Sequence, residues 1–204
     1  MFRSFAALAA AFMVLLAASA GAAAQPRSHA QALAEGNPAA TAPSFSEGVD
    51  GSMYKGRSVS GRFITSNELM CLAVDRGPDR CYDSAYDLQM AEAPPRAAAS
   101  HKRGQRAKAA VDCGIYSLLF IYNGAEWTGA GAALEDRLRW ANLRAEVNNE
   151  GSSFLMGEYS GHLADGQNGG SYWYPGDTRP CAIENNLNTN GSGWNNRISS
   201  RYRN

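Results

Sequence analysis

The sequence predicts an all-β domain built from a duplicated unit at the C-terminal end of the chain. Three observations carry that expectation. First, Trp194-Asn195-Asn196-Arg197-Ile198-Ser199-Ser200 has a counterpart 47 residues upstream, Val147-Asn148-Asn149-Glu150-Gly151-Ser152-Ser153. Both read apolar-Asn-Asn-x-x-Ser-Ser, and self-similarity at a fixed spacing marks a repeated structural unit. Second, residues 112–204 hold 13 glycines and 12 asparagines, a supply of left-handed backbone that fits many short strands joined by tight turns. Third, Ile115 to Tyr122 is apolar and aromatic, and Asn123-Gly124 after it is a strong hairpin signal.

The chain opens with Met1-Phe2-Arg3, an apolar run from Phe5 to Ala18 and the small residues Ser19 to Ala24. This is the pattern of a secretory signal, residues 1–24, with cleavage expected after Ala24. Export, extracellular or periplasmic, is the expected localisation, with no membrane attachment once the signal is gone. Without Arg3 the chain has 18 basic and 19 acidic residues, a formal net charge of −1. That balance offers no electrostatic case for nucleic acid or an anionic membrane as partner. The remaining length suits one compact domain with extra segments, and a monomer is expected.

Residues 25–60 are rich in Ala, Ser, Gly and Pro and poor in large apolar side chains. They read as a disordered arm, because such a segment buries too little surface to offset its ordering entropy. His29 in it reads as solvated. Residues 61–91 read as a small strand-helix segment. Leu69 to Val74 is an apolar run compatible with a buried strand, Gly77-Pro78 breaks it, and Ser84-x-x-Asp87 resembles a capping box opening a short helix. Tyr86 and Met90 would share that helix's apolar face. Residues 92–110, with Pro94-Pro95 and a basic cluster from Lys102 to Lys108, read as a linker. Ala132 to Asn142 reads as helical, with Leu134 and Leu138 on one face and Glu135–Arg139 at i,i+4.

Four cysteines in an exported chain favour disulfides. Three pairings are open, and Cys71–Cys81 with Cys113–Cys181 is the one expected. The chain does not read as an enzyme. Its three histidines include His29 and His101 in segments read as flexible, and His162 reads as a surface residue. Zinc-protease, nucleophile-elbow and phosphate-loop motifs are missing from the sequence. The Asn and Ser side chains of the two turns, together with main-chain carbonyls, are neutral oxygen donors that suit a hard cation such as calcium. The plainer alternative is that Asn and Ser simply build turns.

Tyr122-Asn-Gly-Ala-Glu-Trp127-Thr-Gly129 has the form aromatic-x-x-x-x-aromatic-x-Gly. Followed by Asn148-Asn149-x-x-Ser152-Ser153, it resembles one motif of the βγ-crystallin superfamily. The second motif, from Leu163 through Gly170 to Ser200, keeps the spacing but lacks both aromatics, and Tyr172, Trp173 and Tyr174 stand ready to replace their packing. The exported, cysteine-containing layout is similar to the secreted microbial branch that includes streptomycete metalloproteinase inhibitor-like proteins. The resemblance implies a two-motif Greek-key βγ-crystallin-like sandwich over residues 111–204, with two weak calcium sites each drawing on both motifs. Carried over residue by residue, it implies Glu150 (carbonyl) and Ser152 with Asn196 for one ion. Arg197 (carbonyl) and Ser199 with Asn149 would hold the other, with Asn148 and Asn195 supporting the turns. The function implied is a calcium-stabilised structural or interaction module. The alternatives are an inhibitor of extracellular proteases, through the 154–182 segment, or a module binding carbohydrate or cell-wall polymer through Tyr172-Trp173-Tyr174.

Overall fold

A computed structural model describes residues 25–92, 118–135, 138–188 and 193–204. The expected signal segment, nearly all of the expected linker and Cys113 lie outside the described residues. The fold is mostly β, in two mixed sheets with a few short helices. Strands are numbered in chain order. The C-terminal half contributes β7 (Leu119–Tyr122), β8 (Gly131–Leu134), β9 (Trp140–Asn142) and β10 (Ser153–Leu155), then β11 (Gly161–Ala164), β12 (Tyr172–Trp173), β13 (Ile183–Glu184) and β14 (Ser200–Arg203).

These eight strands interlock. One sheet contains the order β13-β10-β7-β8, and the other contains β12-β11-β14-β9. The third strand of each set of four therefore leaves its own set and pairs with the other, β9 with β14 and β13 with β10. Between the sheets lies a shared core of Leu119, Ile121, Leu134, Val147, Phe154, Leu163, Trp194 and Ile198. Burying apolar area at roughly 25 cal/mol per Å² is what holds the two sets together, and the exchanged strands prevent either from closing a core alone.

The N-terminal segment departs from the sequence reading. Residues 25–60 are not a disordered arm: they form β1 (Arg27–Ser28), α1 (His29–Ala34), a 3₁₀ turn (Pro38–Thr41), β2 (Ser44–Ser46), β3 (Ser52–Tyr54) and β4 (Arg57–Val59). β1 pairs with β12 and β2 with β9, so this stretch clasps both edges of one sheet. The physical reason is that the large apolar area comes from the other side of the contact. Trp140, Trp173 and Tyr202 cover the outer face of that sheet, and the buried Ala32, Ala39 and Ala40 lie on them. Trp140 Nε1 donates to the Ala39 carbonyl at 2.6 Å and His29 Nδ1 lies 2.9 Å from the Gly169 carbonyl. Alanine is an asset here because it lets the backbone approach an aromatic face.

Residues 61–91 are likewise not a separate small unit. They carry α2 (Gly61–Ser66), β5 (Met70–Ala73), β6 (Asp79–Tyr82) and α3 (Ala85–Glu92). β5 pairs in parallel with β8, so β5, β6, β3 and β4 extend the second sheet to eight strands. The strand expected over Leu69–Val74 is present and buried, and Cys71–Cys81 is a disulfide across the β5–β6 pair. Cys181 is also disulfide-bonded. Ser84 caps α3, its Oγ accepting from the Asp87 amide at 3.1 Å and donating to the Asp87 carboxylate at 2.6 Å, in place of the reciprocal backbone bond of a full capping box. The helix buries Leu88, whereas Tyr86 stays exposed, because Leu88 meets Met70, Leu72 and Phe120 on the outer face of the sheet.

The helix expected over Ala132–Asn142 is replaced by β8 and β9, with residues 136–137 outside the described residues. Helical spacing there is outweighed by pairing: β8 bonds to β7 on one side and β5 on the other. Arg139 forms an ion pair with Asp75 instead of one with Glu135.

Among the described residues five charged side chains are buried, and four of them, Arg201, Glu47, Arg144 and Asp79, form one cluster between the sheets. Arg201 on β14 donates to the Ala132 and Ala133 carbonyls at 2.5 and 2.6 Å and pairs with Glu47. Arg144 lies 3.9 Å from Glu47 and 3.7 Å from Asp79. Burial pushes the Glu47 carboxyl up to about 7, against the opposing pull of Arg201 and then Arg144, and raises Asp79 as well. His162 is half-buried rather than on the open surface, its ring 4.5 Å from Trp173 and 5.8 Å from Tyr202, and burial depresses it to about 4. The two groups act in opposite directions. A carboxyl raised by folding adds stability as pH falls from about 7 toward its unfolded value near 4.3, whereas a depressed histidine removes stability as pH falls from about 6.5 toward 4. Thermal melts should therefore show Glu47→Gln losing stability between pH 7 and 5 and His162→Gln gaining it. Parallel slopes in the two variants would refute the assignment.

Candidate functional site

The two Asn-Asn-x-x-Ser-Ser turns meet at one end of the sandwich, and each bonds to the other. The Asn149 amide donates to the Ile198 carbonyl at 2.9 Å, and the Asn196 amide donates to the Gly151 carbonyl at 3.0 Å. These are the same positions of the repeat, exchanged. Asn149 and Asn196 both adopt left-handed backbone, at φ 59° and 57°, which asparagine tolerates because its side chain bonds locally. The apolar residues that open the turns, Val147 and Trp194, are both buried in the shared core.

The correspondence extends to the hairpins. Ser152 donates its amide to the Tyr122 carbonyl and Ser199 donates to Ala164, each at 2.8 Å. Ser153 Oγ donates to the Gly124 carbonyl at 2.7 Å and accepts from the Trp127 amide at 3.1 Å. Ser200 Oγ donates to the Gly166 carbonyl at 2.5 Å and accepts from the Gly169 amide at 3.1 Å. One hydroxyl thus pins each folded hairpin. The hairpin match runs one residue later than the spacing predicted. Gly129 corresponds to Ser171, both with positive φ, and Gly170 corresponds to the extended Thr128.

The missing aromatics of the second hairpin have a structural replacement. A Cβ on Gly169 would sit 2.2 Å from the Trp140 indole, so Trp140 of the first set packs over this corner. Trp173 Nε1 also donates to the Gly169 carbonyl at 2.7 Å. Of the three aromatics at 172–174, Trp173 is buried and Tyr174 packs on the core, leaving Tyr172 as the exposed ring. Gly151 is explained in the same way. Its absent side chain is where Ile198 sits, 3.2 Å from the position of a Cβ, so one bulky residue serves both turns.

The expected ligands divide as follows. Asn149 and Ser199, from different copies, are together: Ser199 Oγ lies 2.9 Å from Asn149 Oδ1 and 3.1 Å from the Asp165 carbonyl. Ser152 Oγ donates to its own Glu150 carbonyl at 3.4 Å. Asn149, Glu150 and Asn196 are exposed, whereas Ser152 and Ser199 are buried. The Arg197 guanidinium is held by the Asp165 carboxylate at 2.6 Å and lies 4.9 Å over the Trp194 ring. Asn148 Oδ1 is buried with no hydrogen-bond partner, and Asn195, its equivalent in the other copy, is half-buried. Asp165 is the contributor that the sequence reading missed, since it lies on the hairpin and not in the repeated turn. The signal for it was the position of Asn123, the equivalent residue just after β7.

Oxygens bound to one calcium at about 2.4 Å, with near-perpendicular directions, sit about 3.4 Å apart. The separations of 2.9–3.4 Å among these oxygens are of that size. Among the described residues no group of three or more His, Cys, Asp or Glu side chains could hold a metal. Among them also, no helix is long and apolar enough to cross a membrane.

Comparisons of the chain with protein-family models, with curated proteins and with solved structures give no match.

Removing either pinning hydroxyl should be costly and the two costs should agree. Ser153→Ala and Ser200→Ala each strip two hydrogen bonds from a buried position, a loss of about 1–3 kcal/mol apiece. Denaturant unfolding measures both, and a silent variant at either position would show that the hairpins are not equivalent.

Proposed function

We propose that this chain is a secreted module of βγ-crystallin type whose paired turns bind calcium and use it to stabilise the fold. The observation that carries the reading is Ser199 Oγ within 3.1 Å of both Asn149 Oδ1 and the Asp165 carbonyl. A hydroxyl and an amide from opposite copies converge there, as an ion site shared between motifs requires. Two Greek keys that trade their third strands account for the order β13-β10-β7-β8 against β12-β11-β14-β9. The reciprocal Asn149–Ile198 and Asn196–Gly151 hydrogen bonds supply the pseudo-twofold relation between the two sites.

In this reading the first ion takes the Glu150 carbonyl and Ser152, with Asn196 reaching across. The second takes the Arg197 carbonyl, Ser199 and Asn149, and the Asp165 carbonyl joins it. The serine hydroxyls now donate to neighbouring oxygens, and a cation would take over the role of those protons. Arg197 does not oppose the ion with a free charge, because Asp165 already compensates its guanidinium. Asn rather than Asp at the ligand positions keeps ligand charge low, which places affinity near the range of extracellular modules, about 10⁻⁴–10⁻³ M. At ten times Kd, linkage contributes about 1.4 kcal/mol per site. Calcium at extracellular concentration then acts on the lifetime of the fold, not as a signal.

The test is a thermal melt and a calorimetric titration of protein stripped of metal beforehand. Millimolar calcium should raise Tm by a few degrees, magnesium should do so far less, and Ser199→Arg should remove much of the rise. A Tm indifferent to calcium in the wild-type chain would overturn the reading.

A further inference from the structure

A second feature lies away from the paired turns, on the outer side of the eight-stranded sheet. There the β7–β8 hairpin and the start of α3 enclose an open cleft of about 390 Å³. That volume lies at the small end of the range for ligand sites. Tyr122, Trp127 and Tyr86 supply aromatic surface, and Tyr86 is 43% exposed. Glu68 and Asp83 add two carboxylates to the lining.

The charges in the cleft narrow what can bind. Asp83 is already compensated by Lys55 at 3.1 Å and accepts a hydrogen bond from the Tyr54 hydroxyl. Glu68 is then the one lining carboxylate without an ion pair among the described residues, a single charge that gives a multiply charged cationic ligand no strong hold. Lys and Arg are missing from the lining, so an anion has no counter-charge. A purely apolar ligand would strip water from Glu68 and Asp83 without returning hydrogen bonds, at a cost of about 1–3 kcal/mol per group. What remains is an uncharged ligand with one apolar face and several hydroxyl donors.

We propose that this cleft binds a short neutral saccharide. A pyranose ring has C–H faces that lie on aromatic planes and hydroxyls that donate to carboxylates, so it matches both halves of the lining. Tyr86 and Trp127 are the stacking residues, and Glu68 accepts from the sugar hydroxyls. Tyr86 explains itself on these terms: it is the apolar residue of α3 that the helix leaves outside the core while Leu88 packs inward. The position differs from the 172–174 aromatics, of which Trp173 and Tyr174 are used in packing. The proposal does not rest on the calcium reading, and the cleft contains none of the calcium ligands.

The experiment titrates the whole chain with chitotriose, cellotriose and maltotriose, following amide chemical shifts and heat. At least one trisaccharide should saturate, with shifts centred on Tyr86, Trp127 and Glu68. Tyr86→Ala and Glu68→Gln should each weaken that binding about tenfold while leaving Tm unchanged, since both residues are exposed. The proposal is overturned if no trisaccharide saturates, or if binding survives both substitutions intact. It is also overturned if a lysine-rich peptide binds the cleft where the sugars do not, since that would make the carboxylates a cation site.

Discussion

Arg201 is the residue on which the rest of the sandwich depends. Its guanidinium sits between the sheets, bonded to two carbonyls of β8 and to Glu47, and it is fully buried. Taking a cation and a carboxylate out of water costs several kcal/mol per ion, which is recovered only when both find full partners. Here the partners come from distant parts of the chain: the N-terminal segment, β6, the end of β9 and β14. The cluster comes together only in the assembled fold, and even there Asp79 Oδ2, Arg144 Nε and Nη1 and Arg201 Nε make no hydrogen bond. The raised Glu47 carboxyl is the mark of desolvation that its partners do not fully recover.

The second constraint is shared volume. Ile198 fills the space that Gly151 leaves, and Trp140 of one set covers the bare corner at Gly169 of the other. The two copies look unequal when read singly, one with a complete hairpin and the other with a better-anchored turn. Their irregularities are complementary because they pack against each other, and close-packed interiors leave no room for two bulky residues at one point. The same interlock places Asn149 beside Ser199 and joins each turn to its partner by a reciprocal backbone bond.

The parts read correctly from sequence were local. The Ser84–Asp87 cap, the buried run at 70–73 and the Cys71–Cys81 bridge each depend on residues close together in the chain. The misreadings share one cause. Residues 25–60 looked unable to fold because their own side chains are small, but Trp140, Trp173 and Tyr202 bring the apolar area to them. Ala132 to Asn142 had helical spacing, and two flanking strands outweighed it. Asp165 was missed because it lies on the hairpin outside the repeated turn, and its carbonyl and carboxylate reach Ser199 and Arg197 only in the assembled fold.

By itself, the sequence determined the repeated turn, the Asn and Ser identities within it and the glycine supply that β-rich folding needs. Those follow from short-range stereochemistry, where residue type decides which backbone angles are accessible. Only the tertiary structure decided which oxygens meet, which copy supplies the missing bulk of the other, and where the N-terminal segment rests. Those are long-range outcomes of two sheets exchanging strands around one core. The tail Asn195 to Ser200 is therefore half of an arrangement whose other half lies 47 residues earlier.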